Sequence, residues 1–304
     1  MRPQGPARIL AAVVVFWSPH QDAQRDVSRV SGALLPRTSL LTTNSDGTFP
    51  NLLHILFLEL GMNKSDVVTP ILKRLKATAR LDEEDERAFA SLPMMIKPAS
   101  NGDKIVAHGE RPLACCLIVD GFVLRSKVVG DGGRQILSFH QPGDIPDLQS
   151  LFLHVLDHDV SALGDGLLAF VPHDPLRRLI SCRPNIAQAL WRDTLTDAAI
   201  FREWICNVGQ RSAYSRLAHL VLEIYTRLKV IGRTDGLSFW FPATQQLFAQ
   251  AIGVSEVHVN RVIQELRSNG VLEFGRGRIT VLDEAKLRSA TDFDPLYLHL
   301  DPSL

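Results

Sequence analysis

Cysteine is scarce in this 304-residue chain, which contains only Cys115, Cys116, Cys182 and Cys206. Four cysteines in a chain of this length do not make a disulfide framework, and this favours a reducing compartment such as the cytoplasm. No CxxC pair or Cys/His cluster offers four ligands at zinc spacing, so we predict no metal site. The neighbours Cys115 and Cys116 lie in a strand-like run and would point to opposite faces, as buried structural thiols rather than a redox switch.

The chain also lacks an uninterrupted apolar run of about 20 residues, the length that a bilayer-spanning helix needs, and we expect no membrane partner. It contains no P-loop, no dinucleotide-binding glycine motif and no nucleophile motif. The triplet Asp157-His158-Asp159 is therefore not accompanied by any of the motifs that would indicate catalysis. We predict that the protein is not an enzyme and has neither catalytic residues nor a cofactor.

A net charge is absent as well, because 33 basic residues balance 33 acidic ones. The distribution along the chain is uneven, however: residues 212–291 carry 10 Lys and Arg against 7 Asp and Glu. A mildly basic segment beside an acidic remainder is compatible with DNA binding by that segment.

Residues 241–281 contain the most informative pattern, which predicts a helix-turn-helix. Apolar residues recur at intervals of three and four after Thr244, a suitable N-cap. Gly253 permits the left-handed backbone that ends a helix, and Ser255 can cap a second helix two residues later. The first helix would bury Leu247, Phe248, Ala251 and Ile252, and the second would bury Val259, Val262 or Ile263, and Leu266.

The outward face of the second helix would then meet a DNA major groove. Residues 271–274 and 278–281 indicate two short strands joined by Gly275-Arg276-Gly277, a wing whose arginines suit phosphate contact. An ordinary helical hairpin in an enzyme core is the alternative. The predicted DNA-binding residues are Ser255, Glu256, Val257, His258, Asn260, Arg261, Gln264, Arg276 and Arg278.

The remaining chain divides into further segments. Residues 1–61 differ in composition, and we interpret them as a disordered extension or as sequence upstream of a true start at Met62, with a signal peptide as the alternative. Helices are predicted at residues 67–79 and 82–92. Residues 94–171 contain short apolar runs punctuated by glycines, which indicates an antiparallel barrel or sandwich of regular short strands.

A short helix at residues 174–180 precedes a long helix from Pro184 towards Asn207 that is apolar on more than one face. Such a helix needs a partner beyond its own domain, for which a second copy of the chain is one candidate and a buried connecting helix in a monomer the other. A helix at residues 212–230 and a strand at residues 237–241 would open the DNA-binding domain. We therefore expect an α+β protein divided into an extension (1–61), a sensor β-roll (62–183), a dimerisation helix and hinge (184–211), a winged helix-turn-helix (212–291) and a tail (292–304).

This order of elements resembles the Crp/Fnr family of bacterial transcription regulators from about residue 81 to residue 300. The matching motifs are Asn101-Gly102-Asp103, Gly109, Leu117-Ile118-Val119-Asp120-Gly121, Gly133-Arg134-Gln135-Ile136, Gln141-Pro142-Gly143-Asp144 and GVSEVHVNRVIQELRSNGVLE. The resemblance implies a β-roll that resembles a cyclic-nucleotide-binding domain, a homodimer formed through the long helix, and a palindromic double-stranded DNA operator. It also implies RNA polymerase as a partner and leaves room for an effector of unknown identity.

The resemblance assigns guanine recognition to Arg261, the last residue of an S-x-x-x-x-x-R pattern that begins at Ser255. A surface ion pair with Glu265 is the alternative for this arginine. Val257 stands where many members carry a glutamate that contacts cytosine, and an apolar side chain there could meet a thymine methyl group. For His258, a solvated helix position is as compatible as a DNA contact.

Members that bind a cyclic nucleotide hold its phosphate with a Gly-Glu pair and a later Arg-Ser pair. Here Asp147-Leu148 and Val160-Ser161 occupy those places. No arginine lies between Arg134 and Arg177, and an acidic loop containing Asp144, Asp147, Asp157 and Asp159 would repel a phosphate, so we predict that cyclic AMP does not bind. The family's iron–sulfur cysteines have no counterpart before Cys115, and His140, His154 and His158 are more often solvated or core residues than haem or metal ligands. A cyclic-nucleotide-binding module without DNA-binding function is the alternative overall.

Overall fold

The computed structural model describes residues 63–300, so the interpretation of residues 1–61 and the last four residues lie outside it. The first two helices are α1 (Lys64–Lys76) and α2 (Glu83–Ser91). Both begin with a capping box: Asn63 accepts the N–H of Asp66, and Asp82 accepts that of Asp85. The box at Asn63 starts α1 before residue 67, because the cap precedes the apolar stripe from which the helix was predicted.

The β-roll contains β1 (Met95–Ala99), β2 (Lys104–Val106), β3 (Ala114–Val129), β4 (Gly133–His140) and β5 (Asp159–Pro172). Its strands are antiparallel in the order β1-β5-β3-β4, with β2 also paired to β5. The prediction of regular short strands is wrong for β3 and β5, which are 16 and 14 residues long. Gly121 lies inside β3 at a shift of register, where a Cβ would lie 2.8 Å from the Cα of Gly166. This glycine therefore marks an irregularity within a long strand rather than a turn between strands.

The two adjacent cysteines lie on opposite faces of β3, as predicted. Cys115 packs in the cluster that contains Ile71 of α1, whereas Cys116 packs in a separate cluster that contains Val160. Both side chains are fully buried, and burial raises the pKa of both thiols well above the usual range. Neither thiol is therefore present as a reactive thiolate at neutral pH.

After β5 the chain forms the short helix α3 (His173–Cys182) and the long helix α4 (Pro184–Gln210). One face of α4 is buried within the protomer, where Ile200 and Trp204 join the core. The other face exposes Trp191, Leu195 and Ile205, with half or more of each side chain accessible. The prediction that this helix is apolar on more than one face is confirmed.

The C-terminal part contains α5 (Ala213–Val230), β6 (Ser238–Trp240), α6 (Gln245–Ile252), α7 (Glu256–Ser268), β7 (Leu272–Phe274), β8 (Arg278–Val281), α8 (Glu284–Ser289) and a 3₁₀ turn at Pro295–Leu298. Its three strands pair in the order β6-β8-β7. Together, an antiparallel β-roll, a long helix and a winged helix-turn-helix confirm the predicted fold class. Among residues 63–300, no helix combines the length and the apolar character that crossing a bilayer requires.

The winged helix-turn-helix packs directly against the β-roll of the same chain. Phe241, which leads into α6, makes edge-on contacts with Phe122 and Phe139, with 5.1 Å between ring centroids in each pair. Gly164 of β5 lies under Pro242, and a Cβ at Gly164 would come within 2.8 Å of the proline ring. The core of the protein is therefore continuous across these two parts.

Candidate nucleic-acid interface

Local hydrogen bonds set the geometry of the helix-turn-helix. The Thr244 hydroxyl accepts the N–H of Leu247, and the Ser255 hydroxyl accepts the N–H of His258, each at 3.3 Å. Gly253 ends α6 in the left-handed conformation with a φ of 70°. The predicted caps and turn are all confirmed, because each depends on residues that are close together in the chain.

Helix α7 separates its apolar and polar residues as the spacing predicts. Val259, Val262, Ile263 and Leu266 are buried in the domain. The opposite side is exposed, including Val257, which leaves 65% of its surface accessible. The exposed residues on this side are Glu256, Val257, His258, Asn260, Arg261 and Gln264.

Arg261 is exposed on α7. The ion pairs of this domain include those of Arg267, Arg278 and Arg288, and among residues 63–300 none involves Arg261. The alternative of an ion pair with Glu265 is thus not formed in this structure. A guanidinium in this position is available for two hydrogen bonds to one guanine.

The wing places two arginines in different environments. Arg276 is exposed at the turn, whereas the guanidinium of Arg278 lies 3.2 Å from the carboxylate of Asp235. A Cβ on Gly277 would come within 2.4 Å of the Trp240 ring, so only glycine allows the wing turn to lie against this indole. Arg276 is the less restrained of the two predicted phosphate contacts.

Two arginines that position the interface were not predicted from the sequence. Arg267 at the end of α7 donates to the carbonyl of Phe274 at 2.8 Å and thereby joins the recognition helix to the wing. Arg216 of α5 donates to the carbonyl of Ile252 at 3.0 Å, at the end of α6. Their acceptors are backbone carbonyls, which carry no signature in the sequence.

The acidic loop of the β-roll differs from the prediction. Asp144 is buried beside Arg227, Arg74 and His140. Burial alone would raise the pKa of Asp144, but these neighbours outweigh it and hold that pKa well below its usual range. Repulsion of a phosphate by Asp144 is therefore the wrong explanation, because its charge is already neutralised.

Asp147 is also buried, and its Oδ1 accepts the backbone N–H of Cys116 at 2.7 Å. Its Oδ2 has no hydrogen-bond partner among residues 63–300. Burial raises the pKa of Asp147 to about 7. This aspartate, at the place of the family's Gly-Glu pair, thus turns into the core and would not repel a phosphate from the loop surface.

A cation does lie at the predicted position of the Arg-Ser pair, but it comes from another strand. Arg125 of β3 is the register partner of Val160 in β5. Its guanidinium is 3% exposed and lies 2.6 Å from the carboxylate of Asp197 in α4. Arg125 lies outside residues 134–177, and strand pairing brings it to this place although it is distant in sequence.

The three histidines considered as ligands occupy separate environments. The His140 ring lies 2.8 Å from the Ser138 hydroxyl, and the His158 ring lies 2.8 Å from the Asp157 carboxylate. His154 is exposed in a surface cleft near Arg111. The rings of His140 and His158 are therefore each engaged in a hydrogen bond within the protein.

Comparison with known proteins assigns both parts of this architecture. A cyclic nucleotide-binding domain model matches residues 96–182, and a Crp-like helix-turn-helix domain model matches residues 215–290. The chain belongs to the Crp/Fnr family of transcription regulators. It is accordingly a DNA-binding transcription regulator of the Crp/Fnr type, and its homologues are regulators rather than enzymes.

Several Crp/Fnr proteins are similar to most of this chain. The transcriptional activator protein FnrL of Cereibacter sphaeroides is 25% identical over 216 residues, which cover 69% of this chain and 85% of that protein. The nitrogen fixation regulation protein FixK of Bradyrhizobium diazoefficiens is 24% identical over 210 residues, with 69% and 86% covered. The structure of FixK2 from Bradyrhizobium japonicum shares the fold with a TM-score of 0.61 at 22% identity, over 67% of this chain and all of that one. The alternative of a cyclic-nucleotide module without DNA-binding function finds no support in these comparisons.

We predict that Asp147→Asn abolishes one component of the pH dependence of folding stability. The raised pKa of Asp147 means that the folded protein retains a proton that the unfolded chain loses, so stability falls as pH rises from about 4 to about 7. The slope contributed by one such group is at most roughly 1.4 kcal/mol per pH unit. The asparagine keeps an oxygen that can accept the Cys116 N–H.

Thermal or urea unfolding from pH 5 to pH 8 measures this effect. The variant should gain stability relative to the original protein as pH rises, whereas Asp131→Asn, a change in the exposed turn between β3 and β4, should not. Parallel stability curves for the original protein and Asp147→Asn would contradict the assignment.

Proposed function

We propose that this Crp/Fnr regulator acts in the cytoplasm as a homodimer that binds a palindromic operator and contacts RNA polymerase. In this scheme residues 62–183 form the sensor β-roll, residues 184–211 form the dimerisation helix and hinge, and residues 212–291 bind DNA. A twofold dimer presents two recognition helices about one DNA turn apart, which requires an inverted repeat. Relatives that carry the name transcriptional activator support the polymerase as a partner, since activation acts through that enzyme.

The exposed face of α4 is the observation that supports the dimer. Its residues follow alternating spacings of four and three, which is the heptad pattern of a two-stranded coiled coil. The large apolar members are exposed in the single chain, where they would face water without a partner. The face consists of Trp191, Leu195, Ala198, Arg202, Ile205 and Gly209.

The exposed face of α7 determines the operator sequence in this proposal. Arg261 reads one guanine in each half-site through paired hydrogen bonds to O6 and N7. Val257 lies four residues earlier, about one helical turn away, and offers an apolar surface to a thymine methyl group. The remaining polar residues of α7 contact base edges or phosphates, and Arg276 and Arg278 of the wing hold the backbone.

Cyclic AMP is not the effector in this proposal. The side chains between the β-roll and α4 leave a cavity of about 30 Å³. Ligand pockets are typically at least about 300 Å³, and a cyclic nucleotide is far larger than a single water. The small size of this cavity and the pairing of Arg125 with Asp197 support this prediction, in place of repulsion by Asp144 and Asp147.

Ile205→Asp is predicted to dissociate the dimer. A carboxylate introduced into a desolvated seam costs about 3 kcal/mol, or roughly a hundredfold in the dimer Kd. Analytical ultracentrifugation measures the change, with Leu113→Asp as a control because Leu113 is 84% exposed and lies outside α4. A dimer of unchanged stability in Ile205→Asp would exclude the α4 seam.

Arg261→Ala is predicted to remove discrimination at one guanine in each half-site. The loss should be about 1 to 3 kcal/mol for that base and small at other positions. Selection of operator sequences from random duplexes, followed by binding titrations with each half-site guanine replaced, measures the preference. Arg288→Ala is the matched control, because Arg288 is paired with Glu284 in α8. An unchanged base preference in Arg261→Ala would refute this assignment.

Arg276→Ala is predicted to weaken binding to all sequences alike. Loss of one phosphate contact in each protomer, two in the dimer, should reduce the slope of log K against log salt by about 2, without altering the selected sequence. Titrations of operator and random duplexes over a series of salt concentrations give both quantities. A loss confined to the operator would instead assign Arg276 to base recognition.

A further inference from the structure

The space between the β-roll and the long helix is filled by a charged cluster, which we call the arginine–aspartate cluster. Its three arginines and three aspartates balance in charge and come from four different parts of the fold. They surround a cavity of about 30 Å³, which is room for roughly one water. The members are Arg74, Arg125, Arg227, Asp144, Asp193 and Asp197.

The first connection in this cluster joins the β-roll to α4. Arg125 lies opposite Val160, where the family's phosphate-binding arginine would be, and its Nη1 lies 2.6 Å from Oδ2 of Asp197. The same guanidinium donates from Nε to the carbonyl of Pro146 at 2.6 Å. The Asp197 carboxylate thus gives Arg125 the kind of partner that a phosphate would give it.

The second connection joins the β-roll to the DNA-binding domain. Arg227 of α5 is paired with Asp144 and donates to the carbonyl of Phe139 at 3.0 Å. Arg74 of α1 lies 3.5 Å from Asp144 and 3.1 Å from Asp193 of α4. Asp144 is therefore the point at which the β-roll, α1 and the DNA-binding domain meet.

Contacts on the same face of α5 extend this connection to the end of the chain. Glu223, one turn before Arg227, accepts the Tyr297 hydroxyl at 2.9 Å and the Trp204 indole N–H at 3.3 Å. Its carboxylate also lies 3.8 Å from the Arg227 guanidinium. The C-terminal segment and α4 thus hold α5 on one side while the β-roll holds it on the other.

Removal of one charge from this cluster would leave its partner buried and uncompensated. Such a loss is costly, and the side chains would separate or admit water to restore hydration. Because the partners belong to different elements, their separation would release α5 and α4 from the β-roll. The cluster therefore couples the position of the DNA-binding domain to the sensor part of the fold.

We propose that the arginine–aspartate cluster takes the place of an effector and fixes the DNA-binding domain in its operator-binding position without any added ligand. The Asp197 carboxylate replaces the anionic group of a ligand, and the Asp144–Arg227 ion pair holds α5 in a fixed position on the β-roll. This inference rests on the proposed operator binding. It adds that the protein binds its operator without a small-molecule effector.

The test begins with the purified, dialysed dimer, shown by native mass spectrometry to hold no small molecule. This protein should bind the selected operator, and 1 mM cyclic AMP should leave its Kd unchanged. Asp197→Asn and Arg227→Met should each weaken operator binding about tenfold or more, the range of typical coupling between sites. Arg227→Lys, which keeps the charge, should recover most of the affinity.

Arg233→Met is the matched control. Arg233 also joins the DNA-binding domain to the β-roll, through an ion pair with Asp120 at 3.2 Å, but both side chains are substantially exposed. Its loss should leave the operator Kd within about twofold, since exposed pairs contribute little. Circular dichroism and ultracentrifugation confirm that each variant is folded and dimeric, and limited trypsin digestion should cut Arg227→Met faster near residues 210–212.

The outcomes separate this inference from the proposed function. An original protein that binds its operator only after a small molecule is added would overturn the effector-free cluster, as would folded Asp197→Asn and Arg227→Met dimers that bind as tightly as the original protein. The first result is decisive even where a variant does not fold. Failure of the original protein to select any operator would instead count against palindromic DNA recognition itself.

Discussion

The pairing of Asp144 with Arg227 is the interaction on which the arrangement of this protein depends. It joins a carboxylate in the turn after β4 to a guanidinium in the first helix of the DNA-binding domain, and both groups are almost fully buried. Neither charge could be buried alone, so each element specifies the position of the other. The recognition helix α7 in turn packs on α5 through the shared core and is positioned relative to the β-roll by that pair.

Apolar packing and buried charge contribute differently to this arrangement. The rings of Phe122, Phe139 and Phe241 supply contact area between the β-roll and the winged domain, and such contacts tolerate small shifts. Ion pairs between buried groups are directional and lose their value when the partners separate. Apolar area thus accounts for the attraction between the two parts, and the arginine–aspartate cluster accounts for its single geometry.

Features that depend on neighbouring residues in the chain could be predicted from the sequence. The caps at Thr244 and Ser255 and the left-handed Gly253 involve atoms within one helical turn, so their pattern is visible in the residues themselves. The exposed side of α7 follows from helical period alone. The sites of DNA contact on that side stay predictions, because a helix face shows which residues are available and not which bases they meet.

Features that depend on pairing across the fold could not be predicted in this way. Arg125 lies beside Val160 because β3 pairs with β5, and the register shifts in this ladder prevent the pairing from being predicted from residue spacing. Asp144 and Asp147 lie in a stretch whose sequence predicts a polar surface loop. Both are nevertheless buried, because a backbone N–H and arginines from distant elements pair with their carboxylates. Strands β3 and β5 likewise continue through Gly121 and Gly166, although a glycine in the sequence suggests the end of a strand. These two glycines approach each other across the sheet and do not form turns.

The centre of the β-roll depends both on its own sequence and on a contact from the long helix. A phosphate-binding site needs a cation that has no other anionic partner. Arg125 is the cation beside Val160 in this sheet. Val160 stands where the resemblance places the phosphate-binding arginine, and the cation at this place comes instead from Arg125 on the neighbouring strand, where Asp197 of α4 pairs with it. This β-roll therefore has the fold of a cyclic nucleotide-binding domain while the space between it and α4 is filled by paired side chains of the chain itself.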